Sequence, residues 1–137
     1  MSSLDLRQIN PVEIHSVWDQ VKEGLKVIKD YPGCEGWLPE DVYHAIKSGI
    51  SYLYMGYSEG LYCGFLVLSP QREPYTNNLK LHVWLAYSVN KDIYQEAEEQ
   101  VKRMARDIGA KKITFGSTRT GWMKRYKINN IVYEVSL

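Results

Sequence analysis

The sequence predicts an α+β fold (an α/β three-layer arrangement), a mixed, largely antiparallel sheet flanked by helices, in a single domain over residues 1–137. Three observations predict it. Residues from Leu79 to Ser117 read strand, long amphipathic helix, strand. Before them, two β-rich runs flank the compact turn Ser58-Glu59-Gly60, as in a hairpin. Ahead of that hairpin, apolar residues recur at helical spacing.

A chain of 137 residues is long enough to bury a core without disulfides or metals. Hydrophobic residues make up 45% and charged residues 24%, which excludes a largely disordered chain. The formal net charge of +1 gives no field for a polyanion or a membrane surface. Cys34 and Cys63 form no CxxC pair, so neither a disulfide framework nor a zinc site is expected, and no metal. The polar start Met-Ser-Ser-Leu-Asp-Leu-Arg is unlike a secretory signal, and no apolar run reaches membrane-spanning length. The expected setting is a reducing one, cytoplasmic or virion-associated. With 11 Tyr and 4 Trp, the chain is rich in side chains that favour interfaces, since each joins a large apolar body to a polar tip.

The elements follow in order. Leu4–Ile9 alternates as a short strand. Asn10-Pro11-Val12-Glu13 starts a helix, with Asn10 as cap, Pro11 in the first turn and Glu13 reaching back as in a capping box. Its apolar stripe is Ile14, Val17, Trp18, Val21, Leu25 and Ile28, and Tyr31-Pro32-Gly33 ends it. A shorter helix begins at Pro39 and runs to Gly49 with Val42, Ala45 and Ile46 inward. Strands follow at Ile50–Tyr57 and Leu61–Ser69, the second apolar on both faces and therefore central. Gln71–Asn78 reads as a polar loop after Pro70. In the strand Leu79–Val89, strict alternation places Leu79, Leu81, Val83 and Leu85 on one face, with Lys80, His82, Trp84 and Ala86 on the other. Asp92 opens the longest helix with Gln95 completing its cap; Ile93, Ala97, Val101, Met104, Ala105 and Ile108 form its buried stripe, and Gly109 its stop. Strand Lys111–Gly116, a short helix near Thr120–Tyr126 and a strand Ile131–Ser136 complete the chain.

This order resembles the GCN5-related N-acetyltransferase (GNAT) fold over nearly the whole chain. Cys63-Gly64-Phe65 is similar to that family's Gly-aromatic pair in its third strand, and Leu79–Val89 with the capped helix to its donor-binding strand and helix. Ala105 to Ile113 looks like its helix-to-strand junction. The resemblance implies splayed fourth and fifth strands, and an acyl-coenzyme A whose amide arm pairs with the exposed edge of the fourth. Here that edge is Leu85, Ala86 and Tyr87, with Asn90 and Lys91 near the donor's phosphates.

Two departures follow. The family rests the pyrophosphate on a loop patterned Gln/Arg-x-x-Gly-x-Gly/Ala, because glycine lets phosphate oxygens reach the free N–H groups of a helix N-terminus. Ser88 to Ile93 contains no glycine, and Asp92 would cap those donors itself and oppose a phosphate's charge. After the fifth strand many members carry an Asn and, in the next helix, a Tyr that protonates the leaving thiolate. The register here holds no Asn, and Tyr126 is the only candidate acid. With these departures, the chain resembles the short acetyltransferase-like proteins encoded by tailed phages, some of them associated with the virion or its assembly. The phrases that carry this are Trp37-Leu38-Pro39-Glu40-Asp41-Val42, Val83-Trp84-Leu85-Ala86-Tyr87 and Gly121-Trp122.

His82 is the candidate general base, since an unperturbed histidine titrates near neutrality, about pH 6.5. The competing account is a histidine hydrogen-bonded on a sheet face. His15 and His44 have no partner at metal spacing. Gly116-Ser117-Thr118-Arg119-Thr120-Gly121 has a phosphate loop's gap between glycines, but Trp122-Met123 stand where Lys-Ser/Thr should follow. Late basic residues, among them Arg106, Lys111 and Lys112, are offset by Glu96, Glu98 and Glu99, so nucleic acid is not expected. The preferred expectation is an acetyltransferase-shaped protein without a cofactor that binds other protein chains, as a phage virion or assembly component. The alternative is an acyl-CoA-dependent N-acetyltransferase acting on an amine, with acetyl-CoA as donor. A homo-oligomer stays open, and no membrane partner is expected.

Overall fold

The computed structural model describes residues 4–30, 36–89, 93–116 and 135–136. Five strands form one sheet in the order β1-β2-β3-β4-β5: Leu4–Gln8, Tyr52–Ser58, Leu61–Arg72, Leu79–Ser88 and Lys112–Phe115. All neighbours are antiparallel except β4 and β5, which run parallel because α3 (Tyr94–Asp107) crosses between them. Helices α1 (Trp18–Lys29) and α2 (Pro39–Lys47) complete the described elements.

The first helix begins differently from the single amphipathic run expected. Asn10 accepts from the Val12 N–H at 3.1 Å and opens a 3-10 turn over Pro11–Ser16; α1 starts afresh at Trp18. In a 3-10 turn residues three apart eclipse, so Ile14 and Val17 fall in line and both reach the core before the axis changes. At α2 the Asp41 carboxylate accepts from the Leu38 N–H at 2.8 Å, which satisfies one of the donors a helix start leaves over. The β2–β3 hairpin turns on Glu59 and Gly60, both with positive φ (52° and 80°), as a two-residue turn matched to strand twist requires. Strand β3 runs on through Pro70 to Arg72, where a loop was expected. This is tolerated because β2 stops pairing at Leu68 and Pro70 forms a non-hydrogen-bonded pair with Leu81, so its missing donor faces an unpaired side.

Two apolar layers sandwich the sheet. On one face Ile14, Val21, Leu25, Val42, Ile46, Leu53, Met55, Phe65, Val67 and Leu85 pack under α1 and α2. On the other, Leu68 and Leu81 meet Val101 and Ala105 of α3. Alternation in β4 breaks between these layers. Val67 pairs with Leu85 but Leu68 with Val83, so Trp84 is the extra residue of a β-bulge. Leu85 therefore leaves the face of Leu81 and Val83 and joins His82 and Tyr87 beneath α1, correcting the strict alternation expected.

Helix α3 begins its α-helical turns at Tyr94, with Ile93 in helical conformation ahead of it. Val101 and Ala105 are buried as expected, whereas Ile108 is 45% exposed. Gly109, at φ +78°, stops the helix. Asn90, Lys91 and Asp92 lie outside the described residues, as do the expected helix near Thr120–Tyr126 and residues 131–134 of the expected last strand. Val135 and Ser136 are exposed and not in a strand.

Candidate functional site

The site begins where the pairing of β4 with the described β5 ends. Lys80–Val83 pair with Lys112–Phe115; from Trp84 to Ser88, β4 continues with no strand on that side among the described residues. On its other side β4 stays paired with β3, and the Val89 N–H donates to the Cys63 carbonyl at 3.0 Å. That bond sets the phase of the ladder. Tyr87 and Leu85 turn their main-chain groups toward β3, and Ala86 turns its N–H and C=O toward the open side. Of the three edge residues read from the sequence, Ala86 is the one whose main chain faces the splay, and it is exposed.

The wall beneath this edge is closely fitted. Gly64 has φ +151°, and a Cβ there would stand 2.0 Å from the Tyr87 carbonyl oxygen. A side chain at this position would displace β4 at the site. Gly24 brings α1 down onto the sheet: a Cβ would lie 2.4 Å from Phe65 Cε2 and 2.9 Å from Tyr87 Cδ2. The Phe65 and Tyr87 rings lie 5.7 Å apart, centroid to centroid. Tyr62 lies on the same face, edge-on to Tyr57 at 6.4 Å. Its hydroxyl is buried with no hydrogen-bond partner among the described residues, and burial pushes its pKa up.

His82 sits just before the splay. Its Nδ1 lies 2.8 Å from Thr114 Oγ1, a bond that ties β4 to β5. Burial, followed by the Lys80 charge, lowers its pKa, so the imidazole is neutral at pH 7. It is therefore both the bonded sheet-face histidine and a group in the protonation state of a base. Tyr126, the candidate acid, lies outside the described residues, as do Asn90 and Lys91. Thr114 and Tyr62 were not singled out in the sequence. Thr114 becomes visible only once the parallel register places it beside His82, and Tyr62 only once the bulge between Gly56 and Tyr57 brings it opposite Tyr57.

An acyl-coenzyme A fits one half of this arrangement. Ala86 offers an amide arm a donor and an acceptor. At the other end the sequence leading into α3, Ser88 to Ile93, has no glycine, the residue that lets a diphosphate approach bare amide N–H groups closely. Among the described residues no group of three or more His, Cys, Asp or Glu is placed to hold a metal, and no described helix is long and apolar enough to cross a membrane.

A mixed five-stranded sheet flanked by helices, antiparallel except for the parallel β4–β5 pair, is the GNAT acetyltransferase fold. Solved structures share it at full length. A ribosomal-protein-alanine N-acetyltransferase from Brucella melitensis biovar Abortus 2308 superposes with TM-score 0.69 at 13% identity, over 98% of this chain and 99% of that one. A GNAT family acetyltransferase from Staphylococcus aureus gives TM-score 0.69 at 15% identity, over 99% and 100%. An aminoglycoside acetyltransferase from an uncultured soil metagenomic sample, solved with sisomicin, gives 0.71 at 7%, over 98% and 97%. At these identities the likeness is one of fold. No protein-family model matches the chain, and neither does any curated protein.

Proposed function

We propose that this chain is an acetyltransferase-shaped protein that works by binding other proteins, as a component of a phage virion or of its assembly, without ordinary acetyl-CoA chemistry. The observation that carries the reading is the mouth of α3. Ser88 to Ile93 lacks glycine and contains Asp92. A carboxylate at that position in the sequence opposes a phosphate's charge at the positive end of the helix dipole. The aromatic content and the resemblance to short phage proteins supply the binding role. Calorimetric titration with acetyl-CoA tests the first half: micromolar binding corresponds to about −8 kcal/mol and would overturn it. Mass spectrometry of purified particles tests the second, and absence of the chain from them removes the virion role.

One observation favours a second reading, an acyl-CoA-dependent N-acetyltransferase acting on an amine. Among the described residues the N–H and C=O of Ala86 are unpaired, which suits an amide arm, and His82, four residues earlier on β4, is neutral. In that reading His82 is the base, Tyr126 the acid, and Asn90 and Lys91 flank the phosphates. Turnover of an amine with acetyl-CoA, lost on His82→Gln, would establish it.

A further inference from the structure

We infer that the chain carries a peptide-binding groove between the free edge of β1 and the C-terminal half of α3, and that it takes an extended segment of a partner protein with apolar side chains at alternate positions. The inference rests on the protein-binding reading above and locates the contact away from the splayed strands.

Strand β1 is the outer strand of the sheet. The Ile9 N–H donates to the Leu53 carbonyl at 2.9 Å, so Ile9, Arg7 and Asp5 turn their main chains toward β2, while Leu4, Leu6 and Gln8 turn theirs outward. Leu4 is covered: Glu96 Oε2 accepts its N–H at 2.9 Å, and Gln100 Nε2 donates to its carbonyl at 2.7 Å, both from α3. Leu6 and Gln8 carry no such cover among the described residues. Sheet proteins ordinarily blunt an edge with lysine, proline or a bulge. Here Arg7 projects from the opposite face and is bound by Asp5 at 2.8 Å, over the Tyr57 ring.

A second observation meets this edge. On the face of Leu6 and Gln8 a cleft of about 300 Å³ opens between the sheet and α3. Gln8, Tyr52 and Tyr54 stand at the β1 side, Met104 and Ile108 on the helix, with Leu68, Pro70, Leu79 and Leu81 behind. None of the described residues lining it is charged. An edge of main-chain donors and acceptors selects an extended backbone; an uncharged cleft beside it selects apolar side chains on one face of that backbone. The α3 clip on Leu4 limits the free edge to Leu6 and Gln8. That is too short to join two whole sheets, so a flexible segment fits it better than a second copy.

The test uses the full chain and a fluorescent peptide of about seven residues alternating threonine and leucine. Binding is read by anisotropy and by amide hydrogen exchange. Bound peptide should slow exchange at Leu6 and Gln8. Gln8→Pro removes the outward donor without touching the β1–β2 ladder and should weaken binding about tenfold or more. Ile108→Glu should do the same from the helix side, while Gln8→Ala, which keeps the N–H, should retain it. Failure of the peptide to bind, equal binding to Gln8→Pro, or a dimer in sedimentation that protects the same two amides would each overturn the groove. A chain that binds both peptide and acetyl-CoA would keep the groove and end the non-catalytic reading; one silent to both would do the reverse.

Discussion

Gly64 shows how one residue holds the site in shape. Its φ of +151° and the 2.0 Å approach that a Cβ would make to the Tyr87 carbonyl leave no room for a side chain. Gly64→Ala should therefore lose more than about 2 kcal/mol of stability, from a strained φ and a displaced strand. Urea denaturation measures this, and a loss below about 0.5 kcal/mol would mean β4 yields freely. His82 makes a pH-dependent claim. Its folded pKa is lowered, so the unfolded chain binds the proton more readily. The stability it contributes is complete above the unfolded value of about 6.5 and is lost as pH falls through the folded one. Tm should decline from pH 7.5 to pH 5, and His82→Gln should flatten that decline; parallel curves would show that other groups set the slope.

Among the elements, those with long periodic patterns were legible in the sequence: the amphipathic stripe of α3, the hairpin around Glu59-Gly60, the apolar run of β3. What stayed hidden was phase. The bulge at Trp84 moves Leu85 across the sheet, and nothing in Val83-Trp84-Leu85 signals an extra residue, because both faces are apolar-lined. Pro70 read as a strand end, since a strand's tolerance of proline depends on where its neighbour stops. The first helix read as continuous because 3-10 and α turns share apolar spacing over so short a run. Of the candidate site, the edge at Leu85–Tyr87 was readable, but not that Ala86 alone faces outward, which is a property of the ladder. The start of α2 was readable in Pro39, but the Asp41 carboxylate that caps it was not. Asp41→Ala should cost about 1 kcal/mol by stripping the acceptor from the Leu38 N–H, and thermal unfolding checks it. No change in Tm would mean that water replaces the carboxylate without loss.

Across the whole molecule, the two ends of the strand-edge slot disagree. The sheet end is the better fit: β4 is bulged, runs on beyond its pairing with the described β5 and exposes Ala86, with Gly64 and Gly24 allowing close packing behind it. The sequence at the helix end carries Asp92 and no glycine. If that end alone bars a coenzyme, repairing it should suffice. Asn90→Gly with Asp92→Gly gives the turn backbone freedom and removes a carboxylate, so the double variant should bind acetyl-CoA where the parent does not. Micromolar affinity, about −8 kcal/mol, is readily seen by calorimetry. Asp92→Asn, which removes the charge but adds no glycine, should recover only part of that binding, because phosphate must also reach the backbone closely. If the double variant stays silent, the sheet end is unfit as well, and the GNAT slot here is shape alone. Should the parent bind as tightly as the variant, the acidic turn is no barrier and the reading built on it fails.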